Sequence, residues 1–296
     1  MRVGLLGTGP WARAVHAPAL AGHDAAELVG VWGRDLGRAK ALGAEFEVPG
    51  FADVGELLDQ VDAVALALPP DVQAPLAERA AAAGKHLLLE KPVALSTAAA
   101  DRVVDAVRAA GVASVVFFTL RFQDATATWL TQAGRTQLAG GAGSWLSSIA
   151  GTPYASSSWR QERGALWDVG PHALSVLLPA LGPVVAVQAG AGLRDTVHLV
   201  LTHGSGASST VTVSLTVSRL SAGVEVFVHG DAGRLVLLPE VGKAVDAYAV
   251  AVGELQAAAL TGGAHPCDVV FGRDVVAVLE TAERALGSGC RETVAR

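Results

Sequence analysis

Cysteine is nearly absent from this chain: Cys267 and Cys290 are the only two in 296 residues. Two thiols suggest neither a disulfide framework nor a zinc cluster, and no metal site is expected. Also missing is any apolar run approaching the roughly 20 residues that span a bilayer. The chain opens directly into Val3-Gly4-Leu5-Leu6, without a basic region followed by a long apolar one. No secretory signal is therefore expected, and a reducing cytoplasm is the expected location. Positive charge is not in excess either. With 22 Lys and Arg against 28 Asp and Glu, the formal net charge is −6, which gives no electrostatic reason to bind nucleic acid or an anionic membrane. Apolar residues are plentiful, at 51% against 17% charged, which fills a sizeable core and excludes wholesale disorder.

The first third alternates short apolar runs with helical patterns. Strands are expected over 2–6, 27–32, 62–68, 86–90 and 113–119, and helices over 10–20, 36–42, 70–83 and 97–110. Nearly continuous apolar strands alternating with helices predict a doubly wound parallel sheet covered on both faces, a Rossmann-type α/β domain over residues 1–120. The pattern then changes. Residues 121–296 read as an α+β domain with a helix at 124–132, a strand at 144–150, a Ser-rich loop at 155–158 and a helix at 166–181. Strands follow at 184–189, 197–202, 209–217, 224–229 and 234–238, with a hairpin turn at Gly230-Asp231-Ala232-Gly233. Alternation over Thr210–Val217 turns one face inward and leaves a Thr/Ser face outside. Two helices, about 243–261 and 268–286, close the chain. The second sheet is thus expected to be open and mostly antiparallel.

Gly7-Thr8-Gly9-Pro10-Trp11-Ala12 joins the first strand to the first helix. In that context Gly7 permits a tight turn, Gly9 lets the backbone approach a pyrophosphate, and Ala12 lets helix and strand pack closely. Pro10 suits the first helical turn, and the helix N-terminus offers N–H groups and partial positive charge to phosphates. At the end of the second strand, Gly33 stands where an NAD-binding site usually carries a carboxylate for the ribose 2′-hydroxyl. Arg34 follows, with Arg38 one turn on. A guanidinium without the carboxylate favours a 2′-phosphate, so NADP is the expected cofactor, with NAD the alternative.

Further along, Glu90-Lys91-Pro92 closes an apolar strand at its carboxyl end, where open α/β sheets bind ligands. A lysine there can bind a reacting oxygen and stabilise developing negative charge. Pro92 restricts Lys91 to extended geometry. Asp168 and His172 are four apart, so on one helix they share a face; the aspartate can orient the imidazole, which can exchange a proton with an alcohol.

These motifs, with Leu68-Pro69-Pro70 and Gly164–Leu174, resemble the glucose-fructose oxidoreductase / inositol dehydrogenase (Gfo/Idh/MocA) family across essentially the whole chain. The resemblance implies that Lys91, Asp168 and His172 surround the substrate carbon beside the nicotinamide, and that Leu68, Pro69, Glu90 and Lys91 contribute to the cofactor site. Arg121, Tyr154, Trp159 and Arg160 are expected by position to line the substrate pocket. It further implies hydride transfer to or from a secondary alcohol or ketone of a sugar, cyclitol or related polyol. A catalytically silent dinucleotide-binding regulator and a reductase of a non-sugar substrate are the alternatives. The chain departs from the family at Gln73, where many members have histidine, and in having one glycine, Gly164, before the Asp/His segment. In relatives the open sheet commonly packs against another subunit, so a homo-oligomer with two-fold symmetry, a dimer or tetramer, is expected.

Overall fold

Six short apolar strands pair side by side in the first part of the chain: β1 (Arg2–Leu6), β2 (Glu27–Trp32), β3 (Gly50–Phe51), β4 (Ala63–Leu66), β5 (His86–Glu90) and β6 (Ser114–Phe117). Their order in a computed structural model, which describes residues 1–238 and 244–295, is β3-β2-β1-β4-β5-β6, with every pair parallel. β4 and β6 are buried at every residue, as strands covered on both faces should be. The connecting helices are α1 (Ala17–Ala21), α2 (Leu36–Ala44), α3 (Val54–Leu58), α4 (Pro70–Ala82) and α5 (Thr97–Ala110). Strand order reverses between β1 and β4, the place where a doubly wound sheet opens a crevice at its carboxyl edge.

Two details differ from the sequence reading. The helix expected over 10–20 contains a π turn at Ala12–His16, in which the Ala17 N–H donates to the Ala12 carbonyl. The elements β3 and α3, of two and five residues, are too short to show a period.

After a 3-10 turn at Thr119–Phe122 come α6 (Asp124–Ala133), β7 (Leu138–Leu146), α7 (Ser158–Asp168) and α8 (Gly170–Leu181). β8 (Val184–Ala191), β9 (Val197–His203), β10 (Ser208–Ser214), β11 (Gly223–Gly230) and β12 (Gly233–Leu237) follow. The chain then forms α9 (Ala244–Thr261), α10 (Val269–Ser288) and β13 (Glu292–Thr293). The second sheet has the order β12-β11-β7-β10-β9-β8-β13. One pair, β7 with β10, is parallel and the others are antiparallel. β10 alternates as expected: Ser209, Val211 and Val213 are buried while Ser208 and Thr210 face outward. Helix α8 packs on β7, where a Cβ added at Gly143 would lie 3.4 Å from Leu177 and 3.5 Å from Ala173.

Three expectations need correction here. The strand expected at 144–150 begins earlier, at Leu138, because Gly140, Gly141 and Gly143 carry no side chains to reveal a period. Their bareness is structural: an added Cβ would lie 2.4 Å from the Ser208 carbonyl oxygen at Gly140 and 2.6 Å from that of Phe227 at Gly141. The single helix expected at 166–181 is two helices, α7 and α8, meeting at Val169, and α7 is itself broken at Gly164 (φ 62°, ψ −162°). Ser158 of the expected loop opens α7. Residue 243, where a helix was expected to begin, lies outside the described residues.

By contacts the chain forms two units, Met1–Phe122 with Gly242–Arg273, and Gln123–Val241 with Asp274–Arg296. α9 therefore belongs to the parallel sheet's unit, and α10 contributes its first residues there and the rest to the second unit. Among the described residues, no helix is long and apolar enough to cross a membrane, and no group of three or more His, Cys, Asp and Glu is arranged to hold a metal.

Candidate active site

The turn after β1 is built around one glycine. Gly7 has φ 134°, its N–H donates to the Trp32 carbonyl at 2.9 Å, and an added Cβ would lie 2.4 Å from the Ala67 carbonyl oxygen. No side chain is tolerated there. Gly9 is the opposite case: a Cβ would meet nothing within 4 Å. The backbone beside the following helix start is thus open to close approach, which fits a pyrophosphate on a helix N-terminus. Thr8, Pro10 and Ala12 complete the turn, and Leu68-Pro69 leads from β4 to α4, which starts at Pro70.

At the end of β2, Asp35 caps α2 by accepting from the Arg38 N–H at 3.1 Å. Arg34 and Arg38 are exposed, and Arg38 Nη2 donates to the Thr8 carbonyl at 3.2 Å, across the glycine turn. A Cβ at Gly33 would come within 2.7 Å of Thr8 Cγ2, so a side chain there would require the threonine to shift.

Lys91 is half-buried at the end of β5 and joined to Pro92 by a cis peptide bond. Its neighbour Glu90 is a hub. Oε1 of Glu90 accepts from the Trp11 indole N–H at 2.7 Å and lies 2.8 Å from Nε2 of His16, so Trp11 ties the glycine turn to the lysine-bearing one. His16 is fully buried within the π turn, and its ring centroid lies 4.1 Å from that of Tyr248 on α9. Burial, and secondarily the charge of Glu90, pushes the Tyr248 hydroxyl well above its ordinary range.

The backbone of Glu90 is held as firmly as its side chain. Gln73, fully buried on α4, accepts from the Glu90 N–H at 2.8 Å. Its Nε2 donates to the carbonyls of Glu90 (2.7 Å), Pro92 (3.2 Å) and Val93 (3.2 Å). Neither His16 nor Gln73 was singled out as a site residue from the sequence. A signal for Gln73 existed: it is a lone polar residue in the buried stripe Pro70, Ala74, Ala77, Ala80 and Ala81 of α4.

In the second unit, Tyr154, Trp159, Arg160 and Asp168 come together. Nε of Arg160 donates to Asp168 Oδ2 at 2.9 Å, and its guanidinium lies 4.5 Å from the Trp159 ring centre and 5.2 Å from that of Tyr154. Asp168 ends α7, while His172 lies in the first turn of α8 with its N–H donating to the Val169 carbonyl. The pair therefore lies on either side of a joint between two helices, at which Val169 keeps a right-handed helical conformation (φ −108°, ψ −17°). The His172 ring stacks on Trp145 of β7, centroids 4.4 Å apart and planes 18° apart. Both Asp168 and His172 are buried.

Arg121 lies in the first unit, 5.5 Å from the Phe271 ring centre, on a cavity of about 390 Å³ shared with Glu254, His265 and Cys267. Nε2 of His265 is 2.6 Å from the Glu254 carboxylate. Burial pushes the Cys267 thiol up to about 11, despite the opposing charge of Arg121.

Comparison with known proteins accounts for both sheets. Residues 1–118 match the GFO/IDH/MocA oxidoreductase family with its NAD-binding Rossmann fold, and residues 137–236 match the GFO/IDH/MocA C-terminal domain. The chain is 30% identical to dTDP-3,4-didehydro-2,6-dideoxy-alpha-D-glucose 3-reductase of Streptomyces antibioticus, over 80% of this chain and 75% of that one. It is 30% identical to an uncharacterized oxidoreductase of Synechocystis over 64% of this chain, spanning about half (53%) of that protein's length. The WlbA dehydrogenase of Bordetella pertussis, solved with NADH and UDP-GlcNAcA, has a similar fold (TM-score 0.86) at 22% identity, covering 100% of this chain and 99% of that one. Motifs, both sheets and both matched regions agree on one assignment: the chain belongs to the Gfo/Idh/MocA family of oxidoreductases.

Proposed function

We propose that this protein transfers a hydride between a nicotinamide dinucleotide and a secondary alcohol or ketone of a sugar, cyclitol or related polyol. The observation that carries the reading is the Glu90 hub, which ties Lys91 at the carboxyl end of β5 to the glycine turn through Trp11. The named activity of the Streptomyces reductase, on a nucleotide-linked deoxysugar, supports the substrate class. A bound dinucleotide would supply the hydride acceptor or donor. Gly7, Thr8, Gly9, Pro10, Trp11 and Ala12 would hold its phosphates, with Leu68, Pro69 and Glu90 beside them.

In this reading the Lys91 ammonium binds the reacting oxygen and stabilises charge as an alkoxide develops. His172 takes the proton that the hydroxyl gives up, or returns it in reduction; Lys91 is the other group able to exchange it. Asp168, fixed by Arg160, supports positive charge on the imidazole. Tyr154, Trp159 and Arg160 offer an aromatic and guanidinium surface to a polyol, and Arg121 is kept as a further substrate contact. NADP is the favoured dinucleotide, because Gly33 supplies no carboxylate and Arg34 and Arg38 supply cations beside the turn. The partly apolar outer face of β9, with Val200 exposed, supports a two-fold homo-oligomer. Cys267 and Cys290 as free thiols agree with a cytoplasmic setting.

The test is a panel of sugars, cyclitols and sugar nucleotides assayed by nicotinamide absorbance with each dinucleotide. Turnover of at least one secondary alcohol or its ketone is expected. Tight dinucleotide binding with no turnover across the panel would overturn the catalytic reading, and light scattering at micromolar concentration that gives a monomer mass would overturn the oligomer.

A further inference from the structure

β4 stops pairing with β5 at Ala65–Leu88, two residues before the lysine turn, while β6 continues alongside as far as Glu90–Phe117. On the β4 side, the side chain of Gln73 takes over. Its amide engages both the N–H and the carbonyl of Glu90, at 2.8 and 2.7 Å, as a neighbouring strand would. The same nitrogen reaches the Pro92 and Val93 carbonyls, so one buried amide spans the backbone on both sides of Lys91. The amide N–H and carbonyl groups it holds are buried, where backbone polar groups need partners. From the other direction, His16 and Trp11 fix the Glu90 carboxylate. The backbone on both sides of Lys91 is thereby held from two directions.

We propose that Gln73 is a positioning residue for Lys91: it substitutes for a missing strand at the end of β5 and sets the point from which the ammonium reaches the reacting oxygen. The inference rests on the catalytic reading of Lys91 given above. A glutamine suits the task because it donates and accepts in one plane, which lets it mimic a peptide group. Small displacements of a catalytic group are costly in rate even when the fold survives.

The experiment compares the full-length protein with Gln73→Met, which keeps the side chain's length and removes the amide, and with Gln73→Glu, which keeps the acceptor for the Glu90 N–H and loses the donors. Gln73→Glu serves if Gln73→Met fails to fold, and thermal melts set the folded fraction. Expected is a fall in kcat of about 10- to 100-fold, with KM and dinucleotide Kd held within about threefold. The chain has four lysines, Lys40, Lys85, Lys91 and Lys243. In ¹³C NMR of the reductively dimethylated protein, the Lys91 signal, assigned with Lys91→Arg, should move or broaden while those of Lys40 and Lys85 stay in place. Unchanged kcat and an unmoved Lys91 signal in either folded variant would overturn the proposal. If the parent protein turns over no substrate, the catalytic reading fails separately, and the Lys91 signal alone still decides whether Gln73 positions the lysine.

Discussion

The glycine turn and the Asp168–His172 segment are both short sequence motifs, but only the turn dictates its own backbone path. At the turn, Gly7 has a positive φ and an added Cβ would strike the Ala67 carbonyl, so a single backbone path satisfies the motif. At Asp168–His172, a separation of four suggests one helix face, but α7 ends at Asp168 and α8 begins at Gly170, so the spacing crosses a joint at Val169 that the motif itself does not specify. A motif anchored by a sterically required glycine predicts its own geometry. A motif of spacing alone inherits whatever the backbone between its members does.

The largest expected effect strikes the anchored motif. Gly7→Val places a branched side chain at a positive φ against backbone, so it should destabilise the first unit by several kcal/mol, on the order of 4 or more. Gly9→Ala adds a methyl to open space and should leave the melt unchanged while weakening dinucleotide binding. Thermal melts and dinucleotide titrations on the two variants check this; a stable Gly7→Val protein would remove the steric half of the comparison.

Next in size is Arg34→Ala. The loss of a charged hydrogen bond to a 2′-phosphate should weaken NADPH binding by about 1.5–3 kcal/mol and leave NADH nearly unaffected. Equal affinities of the parent for the two dinucleotides would contradict the preference.

A smaller effect belongs to the second sheet. His203 is held below its ordinary range, chiefly by burial and against the opposing Gly182 carbonyl. Its folded pKa lies under the unfolded value, so the unfolded chain binds the proton more readily. Stability is therefore full above about pH 6.5 and falls as the pH drops below it. His203→Gln should flatten that part of a melting-temperature profile; an identical profile would rule the group out.

The smallest effect concerns the thiols. Cys290 is exposed and Cys267 is buried with its thiol pushed up to about 11. At pH 8 a thiol reagent should titrate one group quickly, lost in Cys290→Ser, and reach Cys267 only on unfolding.

Much of the first unit was legible because its longer buried strands are largely apolar runs and helices such as α2 and α5 start at a capping side chain, Asp35 or Ser96. The site around Lys91 was legible only as a triplet. What holds it, Gln73 from α4 and His16 from a π turn, comes from positions 17 and 74 residues away, and local pattern carries no record of such pairings. In the second unit, β7 was misplaced because its glycines hide a period that exists only as backbone packed between β10 and β11. The cluster of Tyr154, Trp159, Arg160 and Asp168 was named residue by residue, but the Arg160–Asp168 ion pair that organises it was not. It spans the kink at Gly164, which a helical spacing rule does not anticipate.

The most direct test of the central claim is steady-state turnover of Lys91→Ala and His172→Ala, each corrected for its folded fraction by a thermal melt. Turnover should fall by about 10²–10⁴-fold in His172→Ala and by at least as much in Lys91→Ala, with dinucleotide affinity retained in both. Near-normal turnover by a folded His172→Ala protein would contradict that claim and leave the stacking of His172 on Trp145 as a matter of packing alone.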